Sequence, residues 1–219
     1  MMQTRFVATQ VHGRYLVEPA ARPASAPLVV GFHGYGESAE QHLDALRQLP
    51  GSRDLTLVAV QSLHLFYTRN RDVVGSWMTR QGREHAIPDN VAYAARVVGA
   101  VREELEAGGP LVYLGFSQGT SMAYRAAALS GHAGRALIAL GGDLPPELAA
   151  DPSLRLPPVL VARGTRDEWF TQQKLDNDLT ALAHRGVPAR CLVFDGGHEW
   201  TPEFYTAAGA FLRELTGEA

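Results

Sequence analysis

The chain has 219 residues, one cysteine and a formal net charge of -3, with 46% hydrophobic and 20% charged residues. That length supports a sizeable core in one domain spanning 1–219, and the mild acidity argues against the broad basic face that nucleic acids or anionic membranes require. No apolar run reaches the length of a bilayer-crossing helix, the start MMQTRFVATQVHG lacks the apolar block of a secretory signal, and a lone cysteine permits no intrachain disulfide, so the expected setting is cytoplasmic.

Taken in chain order, Gln3–Ala8 and Arg14–Glu18 are short β-prone runs around a turn at His12-Gly13, which predicts an antiparallel N-terminal hairpin. Apolar runs then recur at Leu28–Phe32, Leu55–Val60, Leu111–Phe116, Ala136–Leu140, Val159–Ala162 and Arg190–Phe194. Most are continuously apolar, the pattern of parallel strands covered on both faces; Cys191, inside the last run, is expected to be a small buried hydrophobe. Helical patterns lie between them: Ser38–Gln48, with Ser38 and Gln41 spaced as a capping box; Asp89–Glu106, with Val91, Ala94, Ala95, Val98 and Val101 on one face; then Gln118–Leu129, Gln172–His184 and Pro202–Leu215. Strands alternating with helices predict an α/β fold with a mostly parallel, doubly wound sheet. The long aperiodic stretch Ser62–Pro88 is expected to be a functional loop.

The strand Leu111–Phe116 runs into Gly115-Phe116-Ser117-Gln118-Gly119 and then a helix. This is G-x-S-x-G in the strand–turn–helix setting it requires. A nucleophilic serine must sit on a strained turn to project its hydroxyl, and side chains at the flanking positions would strike backbone, hence the glycines. The helix that follows directs its positive end at the serine.

A serine hydroxyl needs a base, and the base needs an orienting acid. In proteins with this turn the chain order is serine, acid, histidine. His132 closes a helix in a Ser-Gly-His turn, and His184 offsets a helix dipole; both have structural explanations. His198 follows the last strand in Asp195-Gly196-Gly197-His198-Glu199-Trp200, where two glycines permit a tight return to the sheet edge. For the acid, Asp167 in Arg163-Gly164-Thr165-Arg166-Asp167-Glu168 is favoured, with Glu168 and Asp143 as the alternatives. Two backbone amides should face a developing oxyanion: that of Gln118, and that of Tyr35 in the loop His33-Gly34-Tyr35-Gly36. His33 is expected to be a structural part of that loop. His198-Glu199 lacks the second histidine of H-E-x-x-H, so no metal is expected.

These motifs, His33-Gly34-Tyr35-Gly36, Gly115-Phe116-Ser117-Gln118-Gly119, Arg163-Gly164-Thr165-Arg166-Asp167 and Gly196-Gly197-His198-Glu199-Trp200, resemble those of the phospholipase/carboxylesterase group of α/β-hydrolases, which includes acyl-protein thioesterases. The resemblance spans nearly the whole chain. It implies a sheet of about seven or eight strands, a Ser117-Asp167-His198 triad, and cofactor-free hydrolysis of carboxylic esters through an acyl-enzyme. The alternatives are an acyl-thioesterase or lysophospholipase of the same family, and a hydrolase-fold module that binds without turnover. The implied partner is a small ester or thioester, with a homodimer as an option. Acyl contacts are expected from Phe66, Tyr67, Trp77 and Met78 of the long loop and from Trp169 and Trp200 beside the triad. Two departures bear on the pocket: Tyr35 followed by Glu37-Ser38 where the family often has leucine and then aspartate, and Ser76-Trp77-Met78-Thr79 where the family often has a Trp-Tyr/Phe-Asp cluster. Substrate preference therefore does not transfer.

Overall fold

The computed structural model describes residues 1–216. Its elements are β1 (Tyr15–Glu18), β2 (Leu28–Phe32), α1 (Ala39–Leu46), β3 (Thr56–Val60), β4 (His64–Tyr67), β5 (Val73–Ser76), α2 (Arg83–Glu104), β6 (Leu111–Phe116), α3 (Gln118–Leu129), β7 (Ala136–Leu140), α4 (Pro146–Ala150), β8 (Val159–Gly164), α5 (Gln172–His184), β9 (Ala189–Phe194) and α6 (Pro202–Thr216). The main sheet has the order β1-β3-β2-β6-β7-β8-β9. All its pairings are parallel except that of β1 with β3. Among the described residues no helix is long and apolar enough to cross a membrane.

The continuously apolar strands are explained by burial on both faces. Leu28, Val30 and Phe32 of β2 join a layer with α2, α3 and α5 residues such as Val98, Met122 and Leu175. Val29 joins the opposite layer with Leu43 and Leu46 of α1 and Phe204 and Phe211 of α6. Each fully buried aliphatic side chain contributes roughly 1.5–3 kcal/mol relative to exposure. β9 departs from that pattern. It is the sheet's outer strand and mostly exposed, so Cys191 is exposed rather than a buried hydrophobe.

The antiparallel N-terminal strand is present, but its partner is β3, with Tyr15 opposite Val60. Residues 1–13 are exposed and form no strand, so the Gln3–Ala8 arm of the expected hairpin is absent. An isolated two-stranded ribbon with nothing to bury is marginal, whereas the edge of β3 offers Tyr15–Glu18 a ready ladder. The long loop holds the β4–β5 hairpin and the first turn of α2. Pro88 lies inside that helix. The start of α2 is tied down by Asn90, whose side-chain amide donates to Ala86 O at 2.8 Å and Trp77 O at 2.7 Å. Ser38 and Gln41 close both bonds of the expected capping box on α1.

The chain runs from β2 outward to β3, then crosses back to β6 on the other side of β2. Strand order therefore reverses between β2 and β6. A crevice outside the carboxyl ends of the strands opens at such a point.

α1 also buries a histidine. His42 is 1% exposed and packs against β2, where a Cβ on Gly31 would lie 2.5 Å from its Nε2. Burial, with the nearby His33 as a lesser cause, lowers its pKa to about 3. The unfolded chain takes up this proton near pH 6.5. Between that pH and about 3 the unfolded state binds more protons, so acidification costs up to about 1.4 kcal/mol of stability per pH unit. Urea denaturation at pH 7, 5 and 4 should show a shallower loss of stability in His42→Leu than in the parent; parallel curves would contradict this account of His42.

Candidate active site

Four strand ends bring the site together. Ser117 leaves β6, Asp167 follows β8, His198 follows β9, and the loop His33–Glu37 follows β2 beside Ser117, since Phe32 pairs with Gly115. Ser117 has φ 53° and ψ −121°, a strained conformation for a residue with a side chain. It is held there by its own N–H on Leu140 O at 2.9 Å and by Gly119, where a Cβ would stand 1.9 Å from Phe32 O.

Ser117 Oγ lies 2.7 Å from His198 Nε2, and His198 Nδ1 lies 2.8 Å from Asp167 Oδ2. A buried carboxylate accepts, so Nδ1 carries the proton and Nε2 presents its lone pair to the serine hydroxyl. The other oxygen of Asp167 accepts the N–H groups of Trp169 and Phe170, each at 2.8 Å. The alternative acids are occupied elsewhere or turned outward: Asp143 pairs with Lys174 at 3.0 Å, and Glu168 is exposed. Phe116 lies under the imidazole at a ring separation of 5.0 Å. Glu199 holds the turn through Gly197 N–H at 2.8 Å.

β7 lies between β6 and β8, so the line from Ser117 to Asp167 must pass over its end. Gly141 and Gly142 stand there. A Cβ on Gly141 (φ 65°) would come within 3.0 Å of His198 Cε1, and one on Gly142 within 2.3 Å of Ser117 O. The glycine pair just after a predicted strand was visible in the sequence; its partners across the sheet were not.

His33 is a loop residue, as expected. Burial lowers its pKa, its Nδ1–H donates to Gly34 O at 2.7 Å, and Nε2 accepts from Ser62 N at 3.0 Å. The loop is stitched to the β4–β5 hairpin by Gly36 N–H to Gly75 O at 2.9 Å and Gly75 N–H to Glu37 O at 3.0 Å. Glu37 accepts Gly34 N–H at 2.7 Å, and burial raises its pKa despite that bond and the nearby His198. The Gln118 side chain ties the turn at Ser117 to the end of the hairpin. It accepts Trp77 N–H at 2.9 Å and donates to Met78 O at 3.0 Å. Sequence reasoning missed Glu37 and the Gln118 side chain as contributors to the site.

The expected acyl contacts divide. Trp77 is fully buried, donates Nε1–H to His33 O at 2.8 Å and packs edge-on against Phe32; it is core, not pocket lining. Met78 is buried as well, its sulfur 3.9 Å from Arg125 Nη1. Both adjoin the Gln118 side chain but are buried, because the chain after β5 packs against His33. Trp200 is half-buried among Phe116, Phe204, Tyr205 and His42, and shares Phe116 as a neighbour with His198. Phe66 lies against Tyr35, the rings tilted with centroids 5.4 Å apart, and Tyr67 and Trp169 are exposed. A cleft of about 530 Å³ lies between the hairpin and the start of α1. It shares Gly36 with the His33 loop but is not lined by Ser117 or His198.

The sheet, its switch point and the three-residue line define an α/β-hydrolase fold. Among solved structures the chain is similar to esterase PE8, with 26% identity, 94% of this chain and 100% of that chain covered, and a TM-score of 0.74. It is similar to the Bacillus cereus carboxylesterase at 13% identity, covering 93% and 94%, with a TM-score of 0.74. It is also similar to the Zea mays acyl-protein thioesterase 2 at 18% identity, covering 94% and 100%, with a TM-score of 0.72. No family model and no curated protein matches the sequence. The structural neighbours are those of the phospholipase/carboxylesterase group, the same resemblance that the motifs carry.

Because Trp77 is core, Trp77→Phe should lower unfolding free energy by about 1–3 kcal/mol through the lost bond to His33 O, measured by denaturant titration. Unchanged stability would return Trp77 to the list of pocket residues.

Proposed function

We propose that the protein is a serine carboxylesterase that hydrolyses short- to medium-chain carboxylic esters through an acyl-enzyme. The observation that carries this reading is the His198 imidazole bridging Ser117 Oγ at 2.7 Å and Asp167 Oδ2 at 2.8 Å. The solved esterases and thioesterase of similar fold support it.

In this mechanism Ser117 Oγ attacks the ester carbonyl as His198 Nε2 takes its proton. Asp167 orients the ring and stabilises the imidazolium. The backbone N–H groups of Tyr35 and Gln118 receive the oxyanion, an interaction worth about 3–4 kcal/mol per donor in comparable enzymes. The imidazolium then protonates the departing alcohol. Water, deprotonated by the same ring, attacks the acyl-enzyme and releases the acid. Phe66, Tyr67 and Trp169 are assigned to the substrate's apolar part, with the Tyr35 ring packed beside Phe66. The acyl-thioesterase reading uses the same residues with a thiol as leaving group.

Ser117→Ala and His198→Ala should each lower kcat on a p-nitrophenyl ester by at least about 10⁴-fold without loss of folding. Asp167→Asn should cost about 10³–10⁴-fold, while Asp143→Asn, which breaks only an exposed ion pair, stays near the parent. A larger loss in Asp143→Asn would move the acid to that position. Undiminished turnover in Ser117→Ala would remove the mechanism altogether, and a parent protein inert to every ester and thioester of a graded panel would favour a binding module.

A further inference from the structure

We infer that Arg163, the penultimate residue of β8, is a positioning residue for the acid Asp167. The inference rests on the proposed Ser117-His198-Asp167 mechanism. Arg163 is 4% exposed. Its Nε donates to Phe170 O at 2.8 Å, its Nη1 to Gln172 Oε1 at 2.9 Å, and its Nη2 to Thr165 O at 3.4 Å and Asp167 O at 3.3 Å. These four bonds engage three main-chain carbonyls and one side-chain amide of the segment 165–172.

Burying a guanidinium among neutral dipoles is costly unless its donors are satisfied. Here the donors meet a need of the loop. Residues 165–171 form no helix or strand, and their backbone groups still require partners. The amides of Trp169 and Phe170 go to Asp167 Oδ1. Those of Thr165 and Arg166 reach Phe194 O and Gly196 O, both at 2.8 Å. The carbonyls of Thr165, Asp167 and Phe170 converge on Arg163. Asp167 therefore gathers two of the loop's amides while Arg163 gathers three of its carbonyls. With Oδ1 occupied by the loop, the direction of Oδ2 toward His198 is set by how the loop is held. A planar fork with five donors suits several carbonyls at once; an ammonium on a flexible stem does not.

The sequence carries a trace of this. Arg163 follows the apolar run Val159–Ala162 and opens the segment Arg163-Gly164-Thr165-Arg166-Asp167. An arginine at the end of a buried strand is out of keeping with the apolar residues before it.

A double-mutant cycle with Asp167→Asn tests the role. Arg163→Met in the parent should lower kcat by about 10–100-fold, the usual size for loss of a residue that orients a reacting group, with KM within about twofold. In the Asp167→Asn background the same substitution should cost less than about threefold, since there is no longer an acid to aim. Equal losses in both backgrounds would show a general structural effect and overturn the inference. If Arg163→Met does not fold, Arg163→Lys is carried through the same cycle: it keeps the charge but loses the fork, and the same non-additivity is expected. Ser117→Ala is run alongside. Activity surviving there would defeat the esterase mechanism itself, whereas an inactive Ser117→Ala with an additive cycle would defeat only the role of Arg163.

Discussion

Two hydrogen bonds that cross the end of one strand govern the architecture around them. The imidazole of His198 bridges a hydroxyl from the end of β6 and a carboxylate from beyond the end of β8, strands that stand two inter-strand spacings, about 10 Å, apart. β7 fills the gap between those strands. A side chain after β7 would strike the ring or the nucleophile's carbonyl, and two glycines there remove the obstruction. The strained turn at Ser117, the tight return before His198 and the bare end of β7 serve one geometric requirement.

The loops above the sheet are fixed largely by side chains, because they have little regular structure of their own. Asp167 is both hydrogen-bond partner of the imidazole and the cap of its own loop. Gln118 and His33 perform the same service on the β2 side, one clasping the chain at Trp77 and Met78, the other joining Gly34 to Ser62. Such polar clasps rigidify a site when every member is satisfied. Glu37 adds a partly buried carboxylate whose ionisation is made harder by burial and which steadies the loop bearing Tyr35.

Much of this was legible in the chain before any coordinates. Strands buried on both faces announce themselves as apolar runs, so β2, β6 and β7 have the expected limits, and the chain order of Ser117, Asp167 and His198 follows from motif context. What stayed hidden depends on long-range packing. Trp77 and Phe66 look equally suited to a pocket, yet one turns under the His33 loop and the other out along an exposed hairpin. Cys191 sits in an apolar run, yet β9 ends the sheet and leaves it uncovered. The Gln3–Ala8 arm has strand-forming residues but no surface to bury, while β3 pairs with β1 across a long stretch of chain, Tyr15 opposite Val60 and Glu18 opposite Leu57. Arg163 carries no local signal of its carbonyl partners, because they lie in a loop whose path only the fold defines.

The claim on which all of this depends is that Ser117 carries the reactive oxygen, and the most direct measurement is the site of covalent modification. Intact-mass analysis and peptide mapping after treatment with a fluorophosphonate should find one adduct, on the peptide containing Ser117, and none in protein whose His198 is replaced by alanine. An adduct on another residue, or its absence from a protein that still turns over esters, would contradict the account.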